Sequence, residues 1–373
     1  MRPLSTWTYF RHNKRKLVSN VIIIIVAICL VYIMECFIAS IVQSIYPLDA
    51  TRFRYCSVIV STETVPEISQ KTLDSLEKSK NIDAMVPVSV RQIVFSVPGS
   101  TTHTAVFAAK SADQSYIMDK FYIKVTNGRM PVAGADEIAI DKSVAQNNHL
   151  QIGGQTQIDK SHDLDRTYTV VGILESDSHI SFVGSPKPNS SALHDDERGF
   201  LIFPKDGRFE QTESEVMSLR NQGFAVWTLS LYNKLYEKNN QTFQILDIMV
   251  ILSIVVMVIC LVCSKYAQYF SRKGEIGILS ALGYTRKEIT TRTFLEVILT
   301  NVIGFIIGLA LAIPLCKFIM VSAFDSIGGT GVYIYGKAIV FSLLAPLLAT
   351  VSTLIPVYRL IGQVDAISII EKR

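Results

Sequence analysis

Residues 271–296 read SRKGEIGILSALGYTRKEITTRTFLE and lie between two long apolar runs. Ile276, Leu279 and Leu282 recur every three residues and predict an apolar stripe on a short helix, with Arg272, Lys273 and Glu275 near its start. Gly283 stands just after the last apolar residue, where a helix C-cap takes a left-handed residue without a Cβ. Thr285 and Glu288 then have the T-x-x-E spacing of a capping box, which starts a second helix running into the next apolar run. A short amphipathic helix, a glycine break and a helix entering a bilayer make a lever that a soluble partner can push. The plainer interpretation is a basic loop beside a membrane.

The chain has 373 residues, 49% of them hydrophobic, a mean hydropathy of +0.33 and a net charge of +4. It is too apolar to be wholly soluble. Four runs are long enough to cross lipid, at 17–45, 243–263, 294–320 and about 338–357, since about 20 helical residues cross a hydrocarbon core of about 30 Å. Basic residues flank them unevenly. Arg2, Arg11, Lys14, Arg15 and Lys16 precede the first run; Lys265, Arg272, Lys273, Arg286, Lys287 and Arg292 lie between the second and third; Arg359, Lys372 and Arg373 follow the fourth. The positive-inside rule makes all three segments cytoplasmic and puts 46–242 outside. The charge is thus a topology signal, with no support for nucleic-acid binding. The first run exceeds a signal-peptide core of about 7–15 residues, and Ile38-Ala39-Ser40 is a poor cleavage site, so it reads as an uncleaved anchor.

The expected fold class is an α-helical membrane protein with four transmembrane helices and a large mixed α+β extracytoplasmic domain between the first and second. Expected strands in that domain are 57–61, 85–97, 104–109, 137–140, 168–174, 200–203 and 225–232, with helices over 66–80, 112–121, 142–150 and 209–222. The Ser/Pro/Asn-rich stretch 184–191 reads as a loop. Of six cysteines only Cys56 lies outside the apolar runs, so no disulfide framework is expected there.

The outer segment NGRMPVAGADEIAIDKSVAQNNHLQIGGQTQI, followed by TYTVVGIL, resembles the extracytoplasmic core domain of MacB-type permeases. Gly128, Arg129, Pro131, Asp136, Glu137, Ile152, Gly153, Tyr168, Val170, Val171, Gly172 and Ile173 carry the likeness, with Gly154 where an Asp is common. Glu275, Ile276, Leu279, Ala281, Leu282, Gly283 and Glu296 resemble the cytoplasmic signature of FtsX-like permeases. Pro356, Arg359, Asp365 and Ile369 resemble the family's ending, with Ala366 in place of the usual proline. The order holds along nearly the whole chain. In residue ranges, 1–45 is the cytoplasmic N-terminus and first span, 46–242 the outer core domain and 243–373 the permease domain. The last contains spans at 243–263, about 293–320 and about 337–357, and a coupling helix at 271–283.

The resemblance implies a mechanotransmitting permease subunit of a bacterial ABC transporter in the cytoplasmic membrane, with both termini inside. ATP and magnesium are then bound by a separate cytoplasmic ABC ATPase, which pushes on Glu275, Ile276, Leu279, Leu282 and Gly283. It further implies a second permease chain, as a homodimer or a heterodimer. A periplasmic adaptor or another extracellular partner is compatible with it, and the expected task is efflux of an antibiotic, peptide or lipid. The alternative is a signalling complex that senses a peptide or activates a cell-wall hydrolase.

The residues themselves name no catalytic set, cofactor or metal. The run from Gly331 to Ala338 approximates a phosphate-binding loop, but Ala338 has no hydroxyl for magnesium and the loop is expected outside. His103, His149, His162, His179 and His194 form no metal-binding spacing, and Ser185, Ser190 and Ser191 lie in no G-x-S-x-G context. Within the apolar runs, Gly304, Gly308 and Ala312 form a stripe of small residues suited to close helix packing. Glu35 and Lys317 are costly in lipid unless paired or reaching the interface, and reaching the interface is the favoured expectation. The orientation is checked with single thiols: one at Ser190 should react with an impermeant reagent in intact cells and one at Ser280 should not. The reverse result inverts the topology.

Overall fold

The computed structural model describes residues 14–60, 68–157, 164, 166–184, 198–238 and 241–363. Residues 185–191 of the expected loop, His162, His194, Asp365, Ala366, Ile369, the N-terminal basic cluster, Lys372 and Arg373 fall outside the described side chains. The chain divides into two units. One comprises Ser40–Gln241 with Val321–Gly331, and the other the remaining segments at 1–39, 242–320 and 332–373.

The chain begins with α1 (Lys14–Ala50). A 3-10 turn (Thr51–Arg54) leads into β1 (Ser57–Val60). There follow α2 (Gln70–Glu77), β2 (Ile82–Val97), β3 (Ser100–Ala108), α3 (Ser111–Lys120), β4 (Lys124–Gly128), β5 (Glu137–Asp141) and α4 (Lys142–Asn147). Next are β6 (Thr169–Glu175), β7 (Ser181–Val183), β8 (Arg198–Pro204), α5 (Phe209–Ser218), β9 (Ala225–Trp227) and α6 (Leu229–Lys238). Among the described residues the strands form one mixed sheet in the order β4-β6-β5-β7-β3-β2-β8-β1-β9. β2 and β3 pair as a hairpin from Ser89 opposite Ala108 to Val97 opposite Ser100. β5 runs parallel to β6, and β7 parallel to β3.

The alternation of the strands sets two cores. Val58, Leu201 and Phe203 face one side with Phe107, Ile117 and Phe121, whereas their neighbours Ile59 and Ile202 face the other with Leu76, Val216 and Phe224. A period of two puts successive side chains on opposite faces, so α3 covers one face and α2 with α5 the other. Each large apolar side chain so buried contributes about 1.5–3 kcal/mol.

One expected strand differs. Residues 225–232 divide into β9 and α6, because the Thr228 hydroxyl accepts from Leu231 N at 3.2 Å and its carbonyl accepts from Tyr232 N at 2.9 Å. Thr228 is therefore an N-cap, and a local side-chain-to-backbone bond overrides the β propensity of the segment. β4 and β7, with no clear alternation in sequence, are added by pairing to β6 and to β3 and β5.

Motif residues of the sheet unit meet where β4 pairs with β6. Gly128 has φ +76°, and a Cβ there would strike Val171 O; a Cβ on Gly172 would strike Arg129 O. The two glycines let β4 and β6 approach at their pairing position. The Arg129 guanidinium then forks onto Glu137, with Nη1 2.7 Å from Oε2 and Nη2 2.6 Å from Oε1, while Val132 N donates to Oε2 at 3.0 Å.

The other unit is helical. It contains most of α1, together with α7 (Gln241–Phe270), α8 (Lys273–Ala281), α9 (Arg286–Ala323, which ends in the first-described unit) and α10 (Gly336–Gln363). Among the described residues four helices, α1, α7, α9 and α10, are long and apolar enough to cross a membrane. An α-helix satisfies every interior backbone group within its own segment, as a hydrocarbon environment requires.

The hydrogen bonds from Arg129 and from Val132 N hold the Glu137 carboxyl down, from its ordinary 4.5 to about 2. A depressed folded-state value contributes stability that is present above the ordinary carboxylate range and lost as pH falls through the folded value. Glu137→Gln should lower the melting temperature at neutral pH, and the gap to wild type should close between about pH 4.5 and pH 2. Thermal melts across that range check it; an unchanged gap at pH 2 would show that the pair is not the cause.

Candidate functional site

The capping chemistry at 279–288 has the expected form. Gly283 has φ +90° with open space around its missing Cβ. Tyr284 N donates to Leu279 O at 3.2 Å and Gly283 N to Ser280 O at 3.1 Å, which is the Schellman arrangement. Thr285 N donates to Glu288 Oε2 at 2.8 Å and Glu288 N to Thr285 Oγ1 at 3.3 Å, completing the reciprocal box that opens α9. One glycine and one Thr–Glu pair thus turn the chain from α8 into α9.

The faces of α8 differ from the expectation that Ile276, Leu279 and Leu282 share one stripe. Ile276 is buried against Tyr269, Ile289 and Val297; Leu279 is half-buried against the same group; Leu282 is 69% exposed. A step of three residues falls about 60° short of a full turn, so two steps carry the stripe from the inside of the helix to the outside. The outward apolar pair is Ile278, 62% exposed, with Leu282. Ile278 is missing from the sequence expectation, though its spacing of four from Leu282 places the two on one face. Glu275 is also exposed.

Ions hold the inner face. Arg272 is 7% exposed; its Nε stands 3.0 Å from Glu275 Oε2 and its Nη1 2.9 Å from Glu296 Oε2. Glu296 also faces Arg292, Nε to Oε1 at 3.3 Å, close enough for an ion pair but without hydrogen-bond alignment. The Arg272 guanidinium lies 5.6 Å from the Tyr269 ring centroid. A buried charge pair is geometrically demanding, because losing one partner strands the other at a cost of about 3–5 kcal/mol. Arg272 therefore ties the start of α8 to α9, and the ring of Tyr269 brings in the end of α7. From the sequence Arg272 is a topology charge near the start of a short helix and Glu296 a family-like position; their pairing across 24 residues comes from the fold.

The small-residue stripe of α9 packs on α1. A Cβ on Gly304 would lie 2.7 Å from Ile24 Cγ2, and one on Gly308 would lie 3.0 Å from Ile28 Cδ1. Ala312, about one turn beyond Gly308, is fully buried. Glu35 and Lys317 do not meet. Glu35 is fully buried instead of reaching an interface, with Lys337 Nζ 3.5 Å from its Oε2; Lys337 also bonds Asp247 Oδ1 at 2.7 Å. Burial of a carboxylate in the helical unit is tolerable because a cation from the start of α10 stands beside it. Lys317 Nζ lies over the Tyr333 ring at 5.3 Å. Lys337, which sequence reading weighed only as part of a failed phosphate-loop match, is thus a partner that only packing reveals. His103, His149 and His179 sit on separate elements of the outer unit, on β3, after α4 and before β7.

Among the described residues, one unit with four helices long and apolar enough to cross a membrane and another built on a large mixed sheet fit the architecture of a membrane permease with a separate sheet domain. Residues 18–226 match the family model of the MacB-like periplasmic core domain, and 248–364 match that of the FtsX-like permease C-terminal domain. The chain belongs to the MacB/FtsX-like family of ABC-transporter permeases. That family is the non-catalytic permease component of ABC transporters and works with a partner ATPase. No curated protein matches the chain by sequence. Among solved structures, the periplasmic region of MacB from Actinobacillus actinomycetemcomitans is 12% identical, covering 52% of this chain and 98% of that one, with a TM-score of 0.30. The extracellular domain of the noncanonic ABC-type transporter YknZ from Gram-positive bacteria is 13% identical, covering 47% of this chain and 99% of that one, with a TM-score of 0.29.

The packing of α9 on α1 yields a direct test. Gly304→Leu must displace Ile24 and should cost about 1–3 kcal/mol, as overpacking does, whereas Gly308→Ala adds only a methyl, at 3.0 Å from Ile28 Cδ1 and 3.3 Å from Ile25 Cα, and should cost less. Thermal unfolding of the purified protein in detergent reads both. A wild-type melting point for Gly304→Leu would mean that α1 does not lie on this face.

Proposed function

We propose that this chain is the mechanotransmitting permease subunit of an ABC assembly, in which a separate cytoplasmic ATPase pushes on α8 and the membrane helices pass the movement to the outer domain. The observation that carries the reading is the two-sidedness of α8. Its inner side is tied to α7 and α9 through Ile276 and the Arg272–Glu296 pair, while Ile278 and Leu282 stand exposed with Glu275. A helix that is fixed on one side and apolar on the other transmits a push without yielding to it. Docking Ile278 and Leu282 on the ATPase removes their side chains from water, a gain of about 1.5–3 kcal/mol each.

In this reading ATP and magnesium stay with the ATPase, the basic segments face the cytoplasm and the sheet unit lies outside. A second permease chain, identical or related, completes the assembly. Its task is expulsion of an antibiotic, peptide or lipid from the outer face of the membrane, with no need for the substrate to pass through the four helices.

Ile278→Asp and Leu282→Asp should each reduce co-purified ATPase per permease roughly ten- to hundredfold, with normal insertion, because both positions are exposed. Ile276→Asp should instead destabilise the permease. Gly283→Val, strained at φ +90°, should retain ATPase binding but lower ATP turnover in nanodiscs. Wild-type ATPase recovery from the Ile278→Asp, Leu282→Asp double variant would remove α8 as the docking element.

A further inference from the structure

The outer unit contains a cavity of about 480 Å³ that the coupling mechanism leaves unused. Its walls come from the end of α1 and the 3-10 turn after it, the strands β1, β2, β3 and β9, and α6, and they include Phe53, Phe107, Trp227 and Tyr232. That volume and an aromatic lining with a few polar groups are the properties of a small-molecule site. Two charges line it, Asp49 and Arg52. They are not in the same state. Asp49 Oδ2 already accepts from Thr102 Oγ1 at 2.8 Å and from the Tyr232 hydroxyl at 3.3 Å. The Arg52 guanidinium lies 4.9 Å from the centroid of the Phe53 ring; Asp49 supports its charge through space, but the Arg52 side chain makes no hydrogen bond or contact ion pair among the described residues. Its planar fork of donors matches a carboxylate.

From this asymmetry we infer that the cavity binds an amphipathic monocarboxylate: the head bonds to Arg52 and the aliphatic body lies against Val60, Val90 and Trp227. The charge of Asp49 on the same wall disfavours a dianion such as a phosphate monoester, which it would repel more strongly than a single carboxylate. A cation has less to gain, because the Asp49 oxygen that faces Thr102 and Tyr232 is already engaged by two hydroxyls. The inference concerns the outer unit alone, so it stands or falls separately from the docking of α8.

Trp227 supplies the readout, since the chain has two tryptophans and the other is Trp7. The full-length Trp7→Phe protein in nanodiscs is titrated with 11-bromoundecanoate, whose bromine quenches a tryptophan beside it. Quenching should saturate. Undecanoate should reverse it, whereas undecanol and undecyltrimethylammonium at equal concentration should not. Arg52→Gln should weaken binding roughly ten- to hundredfold, the loss expected for a hydrogen bond to a charged partner, and Arg52→Lys should fall between. Quenching that never saturates, or that all three heads reverse equally, overturns the proposal without recourse to a variant. Unchanged affinity in Arg52→Gln overturns it as well. Loss of ATPase binding in α8 variants with carboxylate binding intact would separate a failure of the coupling reading from a failure of this one.

Discussion

The guanidinium of Arg272 stands where α7, α8 and α9 converge, nearly out of water, bonded to Glu275 on its own helix and to Glu296 on the next. A cation so buried keeps its charge only if carboxylates are held at hydrogen-bond distance, and they are held there only if the three helices keep their angles. The demand runs both ways. The pair specifies the turn between two membrane helices, and the apolar packing of Tyr269, Ile276, Ile289 and Val297 excludes the water that would weaken it. With the inner side of α8 committed in this way, Ile278 and Leu282 are left on the outside.

The same division recurs elsewhere in the helical unit. Gly304 and Gly308 bring α9 close to α1, and close approach of backbones gives extensive dispersion contact where no hydrophobic drive operates between helices in lipid. Glu35 and Lys337 add a charge pair among α1, α7 and α10 through the bond from Lys337 to Asp247. Small residues and a few paired ions thus organise helices whose spanning segments are otherwise mainly apolar. In the outer unit the sheet carries that task, and the Arg129–Glu137 fork fastens the segment between β4 and β5.

Two kinds of polar group stand out by contrast. Arg129 and Arg272 have carboxylate partners and belong to the architecture. Arg52 has a cavity beside it and an aromatic ring beneath it. Asp49 supports its charge from beyond hydrogen-bond distance, and with no carboxylate in contact its donors stay available to a ligand in the cavity.

The sequence by itself determined the elements whose cause is local. Four apolar runs of sufficient length, the Gly283 cap, the Thr285–Glu288 box and the alternation in β1, β2 and β8 all arise within a few residues, so their spacing is legible in one dimension. The break at Thr228 was equally local but was masked by the β propensity of Trp227 and its neighbours. Tertiary structure alone decided which side of α8 faces inward, that Glu35 meets Lys337 and not Lys317, and that Arg272 reaches Glu296. Those outcomes depend on which helices lie side by side. A charge far along the chain becomes a partner only through packing, and a stripe that winds around its helix has no inside until its neighbours supply one.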